Sequence, residues 1–328
     1  MKKLIPFLLL LLPLQLLAQT PPSLNATLDG YAYPYPVKTL ALKLEGRAVR
    51  MAYMDVAPTV RANGHTVVLL HGKNFFAAYW RETIKVLTQA GFRVVAPDQV
   101  GFGKSDKPTL YYSFHQLAHN TKQLLDTLGV RKAIIVGHSM GGMLATRFAL
   151  LYPETTERLV LENPIGLEDY RVGVPFQSVD QSLATELKTT EASIRKYHAT
   201  YYPNGYPAAH DQWVRPLAAQ TTHPDFPKVA LASALTYQMI YQQPVAYEFN
   251  RVAVPTLLII GQQDRTVVGK GLVKDAKVLA TLGQYPALGK RTAEQIRGAK
   301  LVALEKVGHI PHLEVPKEFQ AALLAFLK

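Results

Sequence analysis

The chain has 328 residues, of which 48% are hydrophobic, with a formal charge of +12 and no cysteine. This length and apolar content exclude a disordered or fibrous chain and allow one large α/β domain or two smaller ones. Without cysteine there is no disulfide and no lipid-bearing cysteine after a leader, so packing alone must hold the fold. The basic residues are scattered, with no Lys/Arg run interleaved with aromatics, so they read as a solvated surface and no nucleic-acid partner is expected.

Lys2 and Lys3 precede an apolar run over 4–17 that is broken by Pro6, Pro13 and Gln15, and Ala18 follows. A basic start, a short apolar stretch and a small residue read as a signal peptide over 1–18. The run falls short of the about 20 apolar residues of a membrane span. The expectation is therefore export to the periplasm or the exterior, with no stable membrane insertion after cleavage. Removing Lys2 and Lys3 leaves a charge of +10.

Residues 19–36 are rich in Pro and Tyr and read as an extended lead-in. Stretches 37–44 and 48–54, joined by a Glu45-Gly46 turn, predict an antiparallel hairpin at a sheet edge. The pattern then changes. Residues 66–70 (Thr-Val-Val-Leu-Leu) form a continuous apolar run, the mark of a strand buried on both faces, and they end at His71-Gly72. A helix is predicted over 79–89 and a strand over 92–96. The glycine-rich loop from Asp98 to Pro108 contains Lys104-Ser105, but it lacks phosphate-loop spacing and no helix follows it directly. Helical periodicity from Phe114 to Leu128 predicts an amphipathic helix. A strand over 133–136 leads into Gly137-His138-Ser139-Met140-Gly141, and a helix is predicted over 140–151. A further strand is read at 158–162. Such alternation requires parallel neighbours joined by right-handed crossovers.

From Asn163 to Asn250 the alternation stops. This stretch is rich in Tyr and Pro and carries helices predicted at 180–188 and 191–197, so it reads as a largely helical insertion. Strand patterns resume at 256–260 and 300–304, and a last helix is read over 318–327.

Gly-x-Ser-x-Gly between a buried strand and a helix is a nucleophile elbow, a turn so tight that the flanking positions exclude a Cβ. A serine hydroxyl needs a base, a group that orients the base, and donors that hold the oxyanion. In an open parallel sheet these gather at the carboxyl ends of the strands. His309 follows the last strand and is the candidate base. His312 reads as the start of a helical turn, His138 as packing under the elbow, and His71 as a brace for its loop. Asp264 follows strand 256–260 and is the candidate acid, with Glu162, Glu168 and Asp169 as rivals near another strand end. Backbone N–H groups of Met140 and Lys73 are the candidate oxyanion donors, with Asn74 as the alternative to Lys73. No histidine pair has metal-ligand spacing with supporting acids, so neither metal nor cofactor is expected.

Five motifs in order, namely His71-Gly72, the Asp98 to Ser105 loop, Gly137 to Gly141, Gly261 to Asp264 and Gly308 to His312, make the chain resemble the α/β-hydrolase family over residues 64–163 and 252–328. The order Ser139, Asp264, His309 is also that of the family. The resemblance implies an α/β fold with a mostly parallel eight-stranded sheet, helices on both faces, and an inserted helical lid. On this reading 19–163 and 251–328 form the core and 164–250 the lid. It implies a structural role for Asp98 and its glycines. Haloalkane dehalogenases and epoxide hydrolases of the family carry a carboxylate at the elbow, where this chain has Ser139. Proline iminopeptidases carry Gly-Gly-Ser-Trp-Gly there, which this chain lacks.

The hypothesis from sequence is an exported carboxylesterase that acts on a small-molecule acyl substrate through an acyl-enzyme on Ser139. Hydrolysis of carbon–carbon bonds in vinylogous diketones is one alternative, although those enzymes have a glycine-rich oxyanion loop where this chain has Lys73-Asn74-Phe75-Phe76. A hydrolase fold used only for binding is the other.

Overall fold

The computed structural model describes residues 23–328. The signal-peptide expectation at 1–18 lies outside the described residues. Among the described residues no helix is long and apolar enough to cross a membrane.

Eight strands form one sheet: β1 (Val37–Leu44), β2 (Arg47–Val56), β3 (Thr66–Leu70), β4 (Arg93–Pro97), β5 (Ala133–His138), β6 (Thr156–Glu162), β7 (Thr256–Gly261) and β8 (Lys300–Leu304). Their spatial order is β1-β2-β4-β3-β5-β6-β7-β8. The first hairpin is antiparallel and β2 joins β4 antiparallel, while every later pairing is parallel. β3 therefore lies between β4 and β5, and the strand order reverses there. Loops that leave β3 and β5 in such a sheet diverge and open a crevice at their carboxyl ends.

Helices α1 (Arg81–Gln89), α2 (Phe114–Thr127) and α3 (Met140–Leu151) connect the early strands. Between β6 and β7 the chain forms α4 (Tyr170–Gly173), α5 (Val179–Glu186), α6 (Glu191–Ala199), α7 (Asp211–Thr221) and α8 (Phe226–Gln242). Helices α9 (Ala276–Thr281), α10 (Tyr285–Gln295), α11 (Pro311–Glu314) and α12 (Pro316–Leu327) follow β7 and β8.

Alternation along each strand splits the core into two layers. Val68, Leu70, Ile135, Leu161, Leu258 and Ile260 pack with α2, α3 and α10, while Val67, Leu69, Ile134, Val136, Leu257 and Ile259 pack with α1 and α12. Each such fully buried side chain contributes on the order of 1.5–3 kcal/mol of transfer free energy. Burial on both faces is why β3, β5 and β7 read as unbroken apolar runs.

Two details differ from the sequence reading. The segment before α1 is a short 3₁₀ turn over Ala77–Trp80, and the α-helix proper starts at Arg81. Helices α7, α8 and α10 were not marked by periodicity. Pro216 lies inside α7, and α8 buries residues around most of its circumference, so neither has a simple one-sided stripe.

Candidate active site

β5 ends at His138 and α3 begins at Met140, so Ser139 alone makes the turn. Its backbone is at φ 55°, ψ −120°, a region a non-glycine residue enters only under constraint. The constraint comes from its glycine neighbours. A Cβ on Gly137 would lie 2.1 Å from the Gly141 carbonyl oxygen, and one on Gly141 would lie 2.1 Å from that of Leu70. Both contacts are impossible, so only glycine allows α3 to start this close to β3 and β5.

The three candidate triad residues meet at the carboxyl ends of the strands. Ser139 Oγ and His309 Nε2 are 3.0 Å apart, and His309 Nδ1 is 2.7 Å from Asp264 Oδ2. With Nδ1–H donating to the carboxylate, Nε2 is left to accept the serine proton. Burial pushes the Asp264 carboxyl up. The charge of His309 and hydrogen bonds from His309, Asn163 and Thr266 outweigh it and hold the group below its ordinary range.

The rival acids do other work. Glu162 accepts from the backbone N–H and Nδ1 of His312. Glu168 accepts from Gly283 N–H, and Asp169 caps α4 and pairs with Arg171.

The upstream loop lies against the nucleophile, since a Cβ on Gly72 would be 3.1 Å from Ser139 Cβ. The N–H groups of Lys73, in that loop, and Met140, the first residue of α3, have no hydrogen-bond acceptor among the described residues. Met140 N–H is one of the unpaired donors that every helix start leaves. The Lys73 ammonium turns to the helical insertion, where it donates to Ser233 Oγ at 2.6 Å. The Asn74 side chain donates to Tyr201 Oη at 2.7 Å.

The other singled-out histidines have structural bonds. His71 Nδ1 donates to the Gly72 carbonyl at 2.9 Å and its Nε2 accepts from Gln99 N–H at 3.0 Å, which braces the loop. His138 is fully buried, and burial pushes it down to about 3, so it is neutral. Gly72 N–H donates to Tyr79 Oη, Tyr79 O–H to His138 Nδ1, and His138 Nε2–H to the His309 carbonyl. One chain of hydrogen bonds thus ties the loop after β3 to the candidate base. Asp98 accepts from the N–H groups of Ala77 and Lys104 and from Tyr33, and a Cβ on Gly103 would lie 2.2 Å from its carboxyl carbon. Its role is to shape the loop.

Two contributors escaped sequence reasoning. Asn163 has a positive φ of 35°. Its Nδ2 donates to Asp264 Oδ2 at 2.7 Å and its Oδ1 accepts from Gly261 N–H at 2.9 Å, so it anchors both the acid and the strand that carries it. Tyr201, just after α6, accepts the His309 N–H through its carbonyl at 3.0 Å and stacks its ring on the imidazole at 4.7 Å. The tyrosine count of the insertion was visible, but nothing local marked this one.

A cavity of about 460 Å³ opens over Ser139, bounded on one side by the sheet loops and on the other by α5, α6, α7 and α8. That is a volume suited to a small organic molecule. Among the described residues, no cluster of three or more His, Asp or Glu could hold a metal ion.

A family profile described as the alpha/beta hydrolase fold matches residues 65–316. A solved "probable hydrolytic enzyme" from Pseudomonas aeruginosa PAO1 is 50% identical, covers 94% of this chain and 99% of its own, and superposes with a TM-score of 0.91. The 2-hydroxy-6-oxononadienedioate/2-hydroxy-6-oxononatrienedioate hydrolase of Comamonas testosteroni is 41% identical over 108 residues, 32% of this chain and 38% of that protein. The haloalkane dehalogenase of Psychrobacter cryohalolentis is 29% identical over 226 residues, 64% of this chain and 72% of that protein. The chain matches only about a third of the length of the first curated relatives, 31% in three of them.

Proposed function

The chain belongs to the α/β-hydrolase fold family, and on that premise we propose that it is a serine hydrolase, a carboxylesterase for small or medium acyl esters. The observation that carries the reading is the unbroken line from Asp264 through His309 to Ser139 Oγ, at 2.7 and 3.0 Å. His309 Nε2 takes the Ser139 proton as Oγ attacks the ester carbonyl. The ionised Asp264 holds the ring and stabilises the imidazolium that forms. The developing oxyanion accepts from the N–H groups of Met140 and Lys73, which have no other partner among the described residues. Collapse of the intermediate releases the alcohol, which takes its proton from His309. Water activated by the same histidine then frees the acid. The insertion serves as a lid that closes the far side of the cavity.

The similarity to a dehalogenase does not extend to its chemistry. Displacement of halide needs a carboxylate at the elbow, and Ser139 stands there. A second reading, hydrolysis of a carbon–carbon bond, is favoured by the similarity to the Comamonas testosteroni enzyme. We also propose export, from the basic and apolar pattern of residues 1–18. Sequencing the amino terminus of the protein from fractionated cells tests this, and uncleaved cytoplasmic protein would contradict it.

A fluorophosphonate probe tests the hydrolase reading. Labelling of the wild type and none of Ser139→Ala is expected. Absent labelling, or equal labelling of both, would sink the reading and leave a binding protein. Turnover of aryl esters against vinylogous diketones separates the two hydrolytic readings.

A further inference from the structure

The cavity over Ser139 is apolar along much of its wall, with Ile165, Leu217, Phe226, Val229, Ile240 and Val268 on it. One corner is different. Lys73 Nζ donates to Ser233 Oγ at 2.6 Å, Ser233 O–H donates to Glu186 Oε1 at 2.8 Å, and the ammonium and carboxylate are 3.7 Å apart. The three side chains come from the loop after β3, from α8 and from α5, and all three border the cavity. They are not sealed in: Lys73 and Glu186 keep 15% and 30% side-chain exposure. The corner and Ser139 border the same cavity, and the Lys73 backbone follows Gly72, the residue packed on Ser139.

The hydrogen-bonding inventory of this corner exceeds what its members use. An ammonium has three N–H donors and a carboxylate about four acceptor sites. Here one donor is spent on Ser233 and one acceptor site on the serine hydroxyl. The remainder faces a cavity whose wall is largely apolar, with Gln177, Thr189, Gln220 and Tyr237 among its other polar residues. The charges of Lys73 and Glu186 oppose each other, so an ionised group attracted by one is repelled by the other. A neutral group that both donates and accepts suits both. Lys107, another cation bordering the cavity, commits its ammonium to the carbonyls of Gly103 and Ser105.

We propose that Lys73, Ser233 and Glu186 form a specificity subsite for a neutral hydrogen-bonding substituent, a hydroxyl or an amide, on the acyl or alcohol part of the ester. This rests on the serine-hydrolase reading and deepens it. A site built to bond a substrate polar group discriminates strongly against the analogue that lacks it, because its own groups are then left unpaired.

The test uses matched pairs on the purified full chain. p-Nitrophenyl 3-hydroxybutanoate is compared with p-nitrophenyl butanoate, and 3-hydroxybutyl acetate with butyl acetate, with p-nitrophenyl succinate as the anionic control. In at least one pair the hydroxylated member is expected to have the higher kcat/KM. Ser233→Ala and Glu186→Gln should lower that preference about tenfold, read as the ratio of kcat/KM within each pair. Ser233→Thr, which keeps the hydroxyl, should retain most of it. Ratios unmoved in all variants, or a preference for succinate, would overturn the subsite and leave these residues as a tie between loop and insertion. In that case plain-ester turnover and Ser139-dependent labelling persist. Their absence in the wild type would instead overturn the hydrolase reading, and the subsite with it.

Discussion

Two histidine–carboxylate pairs lie buried at the same end of the sheet, three residues apart in the chain at His309 and His312. Asp264 bonds the first at 2.7 Å and Glu162 bonds the second at 2.9 Å. All four residues are at most 2% exposed. Their protonation differs because their surroundings do. Asp264 also accepts from Asn163 and from Thr266 N–H, and it stays ionised. Glu162 is pushed up to about 7 by burial, which exceeds the opposing pull of His138, of the His312 N–H and of His309. Burial likewise drives His312 well below its ordinary value, so the second pair sets a neutral imidazole beside a carboxyl that is about half protonated near pH 7. Access differs too. His309 Nε2 meets Ser139 at the cavity, whereas the His312 ring is stacked on Trp80 at 4.2 Å and its Nε2 has no partner among the described residues. The two pairs therefore differ in the charge of the carboxyl group and in whether a hydroxyl lies in reach of the imidazole.

The largest effect that would sharpen this contrast is at the acid. Asp264→Asn should lower ester kcat by about 10³–10⁴, while Glu162→Gln should change it by less than about tenfold. Comparable losses in both would erase the functional distinction between the pairs. Next comes Asn163, which adds to the hold of His309 on the charged Asp264. Asn163→Gly suits the positive φ but removes the side-chain bonds. Losing one bond to a charged group, worth about 1.5–3 kcal/mol, should cost ten- to a hundredfold in kcat/KM. Unchanged kinetics would mean that His309 and the Thr266 N–H suffice to hold the acid.

A smaller effect is expected at Tyr201→Phe. This variant keeps the ring on His309 and loses the bond from Asn74, so a kcat loss of about fivefold or less is predicted. A loss as large as that of Asn163→Gly would assign the hydroxyl a direct part.

The fourth prediction concerns stability and pH. The Glu162 carboxyl is raised from 4.5 to about 7 on folding, so the folded state holds more protons than the unfolded state between those values. Its contribution is fully present below pH 4.5 and is lost as pH rises through 7, by up to about 3 kcal/mol. His138, depressed to about 3, has the opposite sign and opposes folding as pH falls below 6.5. Melting temperatures of Glu162→Gln relative to wild type should therefore rise with pH between 4.5 and 7. A difference independent of pH would show that Glu162 titrates normally.

The elbow was legible because its causes are local. Gly137 and Gly141 are required by contacts within a few residues or with the adjacent strand, and unbroken apolar runs mark strands covered on both faces. His309 and Asp264 could be picked out by strand-end placement, which the alternation of elements supplies. The helical segments of the insertion were less legible. α8 buries residues around most of its surface and so shows no stripe, and α7 carries an internal proline.

What the sequence determined by itself was the family resemblance, the parallel sheet and a serine at a tight strand-to-helix turn, since these follow from motifs, periodicity and turn sterics. The 2.7 Å approach of Asp264 to His309 was decided only in three dimensions. So were the hold of Asn163 on that carboxylate, the stacking of Tyr201 on the imidazole, and the meeting of Lys73 with Ser233 and Glu186. The partners in these contacts lie 101 residues apart for Asn163 and Asp264 and 160 for Lys73 and Ser233. Such contacts depend on how whole elements pack, and no short pattern of residues carries that information.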